Sequence, residues 1–397
     1  MTKLMTPRLA AFLSYGFRPF FLLAGLYAVF GMAAWLAWIG FNAEALFLST
    51  DFPPTQWHAH EMLFGYTTAV FAGFLLTAAP GWTRRPPVAG GPLALLAAVW
   101  ISGRTAVWFS AYLTPALVAV IDLSFLALLF GLVFTTLTTG SKRHLVFLGI
   151  LVLMFAANAM AHLERLGFTA DSASAGHLLA LDTYILLITV IGGRVAPAFT
   201  RNVLRRDGDD DPLPPRPWLD RFSILSVVAV LAAGQFVPNG TLPGWLAVAA
   251  ALINGLRLAG WQGWRLLDQP IAWILHAGYG WMVVGLAFKG AALLGDSIDE
   301  TTALHLLTIG AIGSMTLGIM TRAGLGHTGR VLRVTPAITF AYLAVSAAAV
   351  IRVGGPLWLP EYYNAVLLSA GVSWCVAFEV FSWVYWPILT RPRVGQE

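Results

Sequence analysis

The sequence predicts an all-α integral membrane protein with about twelve transmembrane helices, and three observations carry that prediction. Of 397 residues, 58% are hydrophobic and only 11% are charged, whereas soluble domains carry roughly a quarter charged residues. Apolar stretches of the length that crosses a hydrocarbon core, about 20 residues, recur along the whole chain. Lys and Arg gather in alternate connections, the signature of a chain that crosses a membrane repeatedly.

The spans are expected in order near 18–40, 57–79, 92–112, 115–137, 144–166, 176–198, 219–237, 242–264, 271–294, 303–322, 335–353 and 362–388. The first follows Arg18, and no cleavable signal peptide is expected because its apolar stretch is long and runs into the body. The second opens on WHAHEMLFG, with His58, His60 and Glu61 at the membrane edge. The third and fourth carry Arg104 and Asp122 inside apolar runs. The fifth ends in His162, Glu164 and Arg165, and the sixth begins at His177, carries Asp182 and reaches Arg194. The RRDGDDDPLPPRP stretch, 205–217, reads as a solvated linker; its Asp run is expected to be solvated and not to hold a metal. It does not divide two different domains, since both sides are equally apolar. The ninth span carries His276 and Lys289, the tenth His305, and the last Cys375 and Glu379.

The basic loops include Lys3, Arg8 and Arg18, then Arg84 and Arg85, Lys142 and Arg143, Arg201 to Arg221, Arg265, Arg322 to Arg333, and Arg391 and Arg393. The opposite loops are short or acidic, with Asp51, Asp171, Asp296, Asp299 and Glu300. Both termini are therefore expected in the cytoplasm of a bacterial inner membrane, which agrees with an even helix count. The net charge of +5 is explained by this distribution and signals no nucleic-acid partner. One cysteine excludes an intramolecular disulfide and a thiolate metal cluster.

A repeat lies beneath the spans. Arg84 and Arg201 each stand 24 residues after His60 and His177, closing the runs PGWTR and PAFTR. Arg194 and Arg322 each stand 17 residues after His177 and His305, and both histidines are followed by Leu-Leu. This spacing suggests that the single transmembrane domain, 1–397, is three tandem four-helix units in pseudo-threefold arrangement, near 1–140, 141–266 and 267–397.

The predicted topology places His58, His60, His162, His177 and His305 in the outer third of the bilayer, with Glu61, Glu164, Arg165 and Asp182. Ionisable groups inside spans are costly unless they face the bundle interior with partners. One such histidine is more often a hydrogen-bonded interfacial residue than a ligand; five in one layer point to a metal or haem site. Two residues apart on a helix, His58 and His60 would point to opposite sides and could each serve a separate centre. If the chain there were extended, both rings would share a face and a copper site would become possible. Without CxxCH, any haem would be held non-covalently, as a b type. Met315 and Met320 read as core residues, and Arg104, Lys289, Glu379, Asp122 and Asp182 as ion pairs, propionate partners or proton relays.

The stretches GFRPFFLLAGL (16–26), HAHEMLFGY with AGFLLTAAPGWTRRPP (58–87), GGRVAPAFTRN (192–202), WILHAGYGW (273–281) and LHLLTIGAIGSMTLGIMTRAGLGHTGR (304–330) resemble the NnrS family, to about residue 390. The resemblance implies haem b, expected as two groups, a possible copper or other metal, and a role in nitric oxide metabolism. His58, His60, His177, His305 and His327 lie in the matching motifs. The architecture resembles the core subunit of haem–copper oxidases and nitric oxide reductases, although their adjacent His-His pair is absent, so that either His162 or Glu61 would have to substitute or the second metal would be missing.

The resulting expectation is an oxidoreductase that reduces nitric oxide to nitrous oxide, fed by a quinol or cytochrome. His58, His60, His177, His305, Arg165 and Arg194 would bind cofactor, the five histidines would serve as metal ligands, and Glu61 and Glu164 would supply protons. A protein that binds nitric oxide without turnover and a transporter are the rival readings.

Overall fold

The computed structural model describes residues 6–41, 49–206, 213–295 and 298–395; Lys3, the Asp run at 207–211 and Asp296 lie outside the described residues. Among the described residues every regular element is helical. A short α1 (Pro7–Phe12) precedes twelve longer helices that follow the twelve predicted spans in order. They are α2 (Phe17–Phe41), α3 (Pro54–Thr83), α4 (Gly91–Trp108), α5 (Pro115–Thr138), α6 (Val146–Arg165) and α7 (Ser172–Arg206). Then come α8 (Pro217–Phe236), α9 (Leu242–Ala259), α10 (Pro270–Leu294), α11 (Glu300–His327), α12 (Pro336–Trp358) and α13 (Tyr363–Thr390). Eleven are long and apolar enough to cross a membrane. The remaining one, α4, is 18 residues long and has Arg104 in its apolar run.

The helix ends follow from local chemistry. Pro54, Pro92, Pro115, Pro217, Pro243, Pro270 and Pro336 stand in first turns, where a missing N–H costs nothing and φ is already helical. Thr114 caps α5 by accepting from the Leu117 N–H at 3.3 Å. Asp299 caps α11 from outside the span, accepting from the Thr301 N–H at 3.2 Å and from its hydroxyl, and these bonds hold its carboxyl below the usual carboxylate range.

Two helices widen into a π turn directly after a histidine. In α3 the turn is Glu61–Thr67, after His60; in α11 it is Leu306–Gly313, after His305. Such turns shift the bonding to i→i+5 and gather at functional sites. The hydroxyls of Thr67 and Thr68 support the first by donating five residues back, to the carbonyls of Met62 at 2.8 Å and Leu63 at 3.0 Å. The Gly65 carbonyl accepts the Trp100 indole N–H at 3.1 Å.

The chain forms two compact units. Unit 1 comprises residues 1–180, 320–332 and 378–397, and unit 2 comprises 181–319 and 333–377. In unit 1, α3 packs against α2 and α5, and α5 also packs against α4 and α6. Phe17, Phe20, Phe21, Phe64 and Tyr66 are fully buried there. In unit 2, α10 packs against α9 and the π turn of α11, which also meets α12. Lipid tails leave little hydrophobic drive between helices, so close contact depends on small residues. At the α9–α10 crossing, a Cβ on Gly290 would lie 2.9 Å from the Gly244 carbonyl oxygen, so the backbones meet directly.

Candidate metal centre

The centre is built in unit 1 where five helices approach one another about one to two turns in from the same end. His60 comes from α3, Arg104 from α4, Asp122 from α5, Asn158 and His162 from α6, and His177 from α7. His60, Glu61, Arg104, Asp122, Asn158 and His162 are all buried. The spacing Asn158 to His162, i to i+4, places both side chains on one face of α6.

Asp122 is the hub. Its Oδ2 lies 2.9 Å from His162 Nε2, accepts from Asn158 Nδ2 at 2.8 Å and lies 3.3 Å from His60 Nε2. Its Oδ1 pairs with Arg104, whose other arm pairs with Glu61. Glu61 also accepts from the Tyr27 hydroxyl of α2. The group thus has two formal negative charges on Glu61 and Asp122 against one positive charge on Arg104.

His60 decides what the arrangement can hold. Its Nδ1 lies 2.8 Å from Glu61 Oε1, while its Nε2 lies 2.9 Å from Asn158 Oδ1 and 3.3 Å from Asp122 Oδ2. Both nitrogens therefore face acceptors, yet a neutral imidazole has one N–H. One side must contain a further cation, either a proton or a metal ion. A carboxylate on Nδ1 is also the usual partner that orients a histidine metal ligand through its other nitrogen. The candidate ligand atoms of His60, Asp122 and His162 all lie within 4.8 Å of one another. Two imidazoles and one carboxylate, deep in an apolar bundle, can hold a first-row transition metal and leave positions open for a small ligand.

Phe52 covers the group, with its ring centroid 5.4 Å from that of His60 and 6.2 Å from that of His162. It belongs to an apolar cluster with Trp57, Val107 and Val118. The Arg165 guanidinium lies over Phe52 at 4.0 Å and pairs with Asp51.

The other predicted residues take distinct places. Residues 54–60 are helical, so the opposed arrangement holds and the extended alternative does not. His58 stacks on Trp35 with ring centroids 4.6 Å apart, away from the Asp122 side. Glu164 accepts from the Ala173 N–H at 2.7 Å, in the first turn of α7. His177 lies 6.5 Å from His60 between ring centroids, and its Nε2 is buried without a hydrogen-bond partner. In unit 2, His305 Nδ1 lies 2.6 Å from the Thr301 carbonyl, to which it can only donate, so that Nε2 carries the lone pair. Arg194 is exposed on α7. Asp182 pairs with Lys289 at 2.6 Å, and Met315 and Met320 are core residues.

Asn158 and Tyr27 were not legible as members of the group. The signal for Asn158 was its i, i+4 spacing to His162 in an otherwise apolar run; Tyr27 had none.

The approach of α7 to this group depends on Gly176. A Cβ there would lie 2.5 Å from the Ala157 carbonyl oxygen and 3.0 Å from Met160 Cβ. Gly176→Ala must part α6 from α7, and is expected to destabilise the protein by about 1–3 kcal/mol. Thermal unfolding of the detergent-solubilised variant measures this; an unchanged midpoint would contradict the close approach.

A family model described as NnrS protein matches residues 11–393, nearly the whole chain. The comparison with curated proteins returned no match.

Proposed function

The chain belongs to the NnrS family, and from that premise we propose that it is a nitric oxide-handling membrane protein whose reaction centre is the His60–Asp122–His162 group. The observation that carries this reading is His60, an imidazole with acceptors on both nitrogens. A metal ion, iron or copper by its donor set, would be held by His60, His162 and Asp122, and would supply ligation of nitric oxide and electron transfer. His177 fits a haem iron through its buried, unpartnered Nε2. His305 fits a second haem, because its Nδ1 is engaged by Thr301. Both would be b-type haems. The charge alternation supports a bacterial inner membrane with both termini cytoplasmic.

The favoured reaction is the reduction of two nitric oxide molecules by two electrons and two protons to nitrous oxide and water. A quinol or cytochrome is the electron donor class. The chain's own contribution is orientation, exclusion of water and proton supply. The cluster of Phe52, Trp57, Val107 and Val118 keeps bulk water from one side of the group. Glu61, hydrogen-bonded to Tyr27 and paired with Arg104, is the carboxylate nearest His60 and would take up the proton and pass it on. Asp122 keeps the His162 and His60 rings turned inward.

With an electron donor, the purified protein should convert nitric oxide to nitrous oxide over repeated turnovers. With metal supplied in excess, Glu61→Gln should slow turnover about 100-fold, the usual scale for a lost general acid, while nitric oxide binding in the absence of a donor is kept. Stoichiometric binding with no nitrous oxide under any donor would overturn the reductase reading and favour a protein that binds nitric oxide without turnover.

A further inference from the structure

A second polar group in unit 1 lies where α2 begins and α11 and α13 end. Arg18 is buried, and its Nη1 donates to the carbonyls of Leu389 at 2.8 Å and Arg391 at 2.6 Å. The segment after α13 turns back along the α11 end, with the Val394 N–H donating to the Thr328 carbonyl at 3.1 Å. The Arg393 side chain lies against Gly329, its Nε 3.2 Å from where a Cβ would stand. Arg330 lies within electrostatic reach of Arg18, and Arg393 within reach of His327. His327 is wedged against Tyr15 and Phe17 at 5.9 and 5.6 Å.

Among the described residues, no carboxylate joins this gathering: none of Arg18, Arg330, Arg391 and Arg393 is in an ion pair with one. Cations of one sign repel, and a fold that draws them together is stabilised when something negative joins them. Arg330 supplies the second, independent observation: its Nη1 is buried with no hydrogen-bond partner. Buried donors are almost always satisfied, and an exception calls for an unseen acceptor. A guanidinium fork suits a tetrahedral oxyanion. Basic pockets at the end of a helix bundle are the usual seats of acidic lipid headgroups. The group is separate from the metal centre, since Arg18 lies about 14 Å along α2 from Tyr27 at 1.5 Å per residue.

We propose that Arg18, Arg330 and Arg393 form a phosphate-binding site that takes the headgroup of an anionic phospholipid or free phosphate. The occupant would join the α2, α11 and α13 ends through the motifs RPF, GHTGR and RPR. The site works independently of the chemistry at His60.

The test titrates detergent-solubilised full-length protein with phosphatidylglycerol, phosphatidylcholine or inorganic phosphate and follows the thermal midpoint, which rises when a ligand binds the folded state. Phosphatidylglycerol should raise it and phosphatidylcholine should not; an effect of inorganic phosphate alone would identify the free anion as the source. Arg330→Gln should require at least tenfold more of the active ligand. Arg393→Gln, at an exposed position, should require several-fold more. The metal content of the His60 group should stay the same in both variants. Titrations of both variants that superimpose on the wild type, equal effects of the two lipids, or no response to any anion would each overturn the proposal.

Discussion

Replacing Arg104 by leucine should cost the protein about 3–5 kcal/mol, the scale for removing one member of a buried ion pair. Arg104 joins Glu61 to Asp122, and all three are buried. Without the guanidinium, two carboxylates face each other in a setting where an uncompensated charge is costly. Most of the loss would come from the charges left behind. The triple variant Arg104→Leu, Glu61→Gln, Asp122→Asn should therefore recover a large part of the stability, although not the metal. Thermal unfolding of both variants in detergent measures this. A mild single variant, or a triple variant no better than the single, would show that Arg104 does not hold the group together. The same charge argument explains why α4 alone misses the apolarity of a free-standing span: its arginine is accommodated by acids on neighbouring helices.

The fold was legible because membrane helices announce themselves by length and apolarity, which are local properties. Even the shorter α4 was found, since its apolar run survives one arginine. The boundaries were less legible: the sixth span was expected to end near 198, and α7 continues to Arg206, because Arg201, Arg205 and Arg206 continue a helix beyond the hydrocarbon region. The π turns at Glu61 and Leu306 were also out of reach, since a wide turn depends on what neighbouring helices press against it and not on the local residues.

The candidate site was legible by half. His60, Glu61 and His162 stood out as ionisable residues near span ends. Asp122 stood out in an apolar run, but its role as hub depends on α5 meeting α3, α4 and α6, which is a long-range fact. The helical reading of 57–60 was more productive, since i, i+2 geometry alone separates His58 from His60. Glu164 shows the reverse limit: beside His162 in sequence, it points instead to the Ala173 N–H at the start of α7, because a helix N-terminus attracts a carboxylate.

That separation leads to the sharpest test of the metal centre. Alanine at His60 or His162, or asparagine at Asp122, should each reduce the bound transition metal from about one equivalent to near zero. Loss of one of three protein ligands leaves too few donors to hold the ion, whereas loss of an outer partner typically weakens affinity by about 10–100-fold. Glu61→Gln, which touches only the Nδ1 side of His60, should fall in that weaker class and be restored by excess metal. His58→Ala should retain the full equivalent, because its ring stacks on Trp35 and not on the Asp122 side. Metal analysis after dialysis against a chelator, with retained secondary structure as a folding control, distinguishes these classes. Equal loss in the His58 and His60 variants would mean that both rings serve one centre. Full metal retention in the Asp122 variant would remove the carboxylate, and with it the assignment of this group as the site.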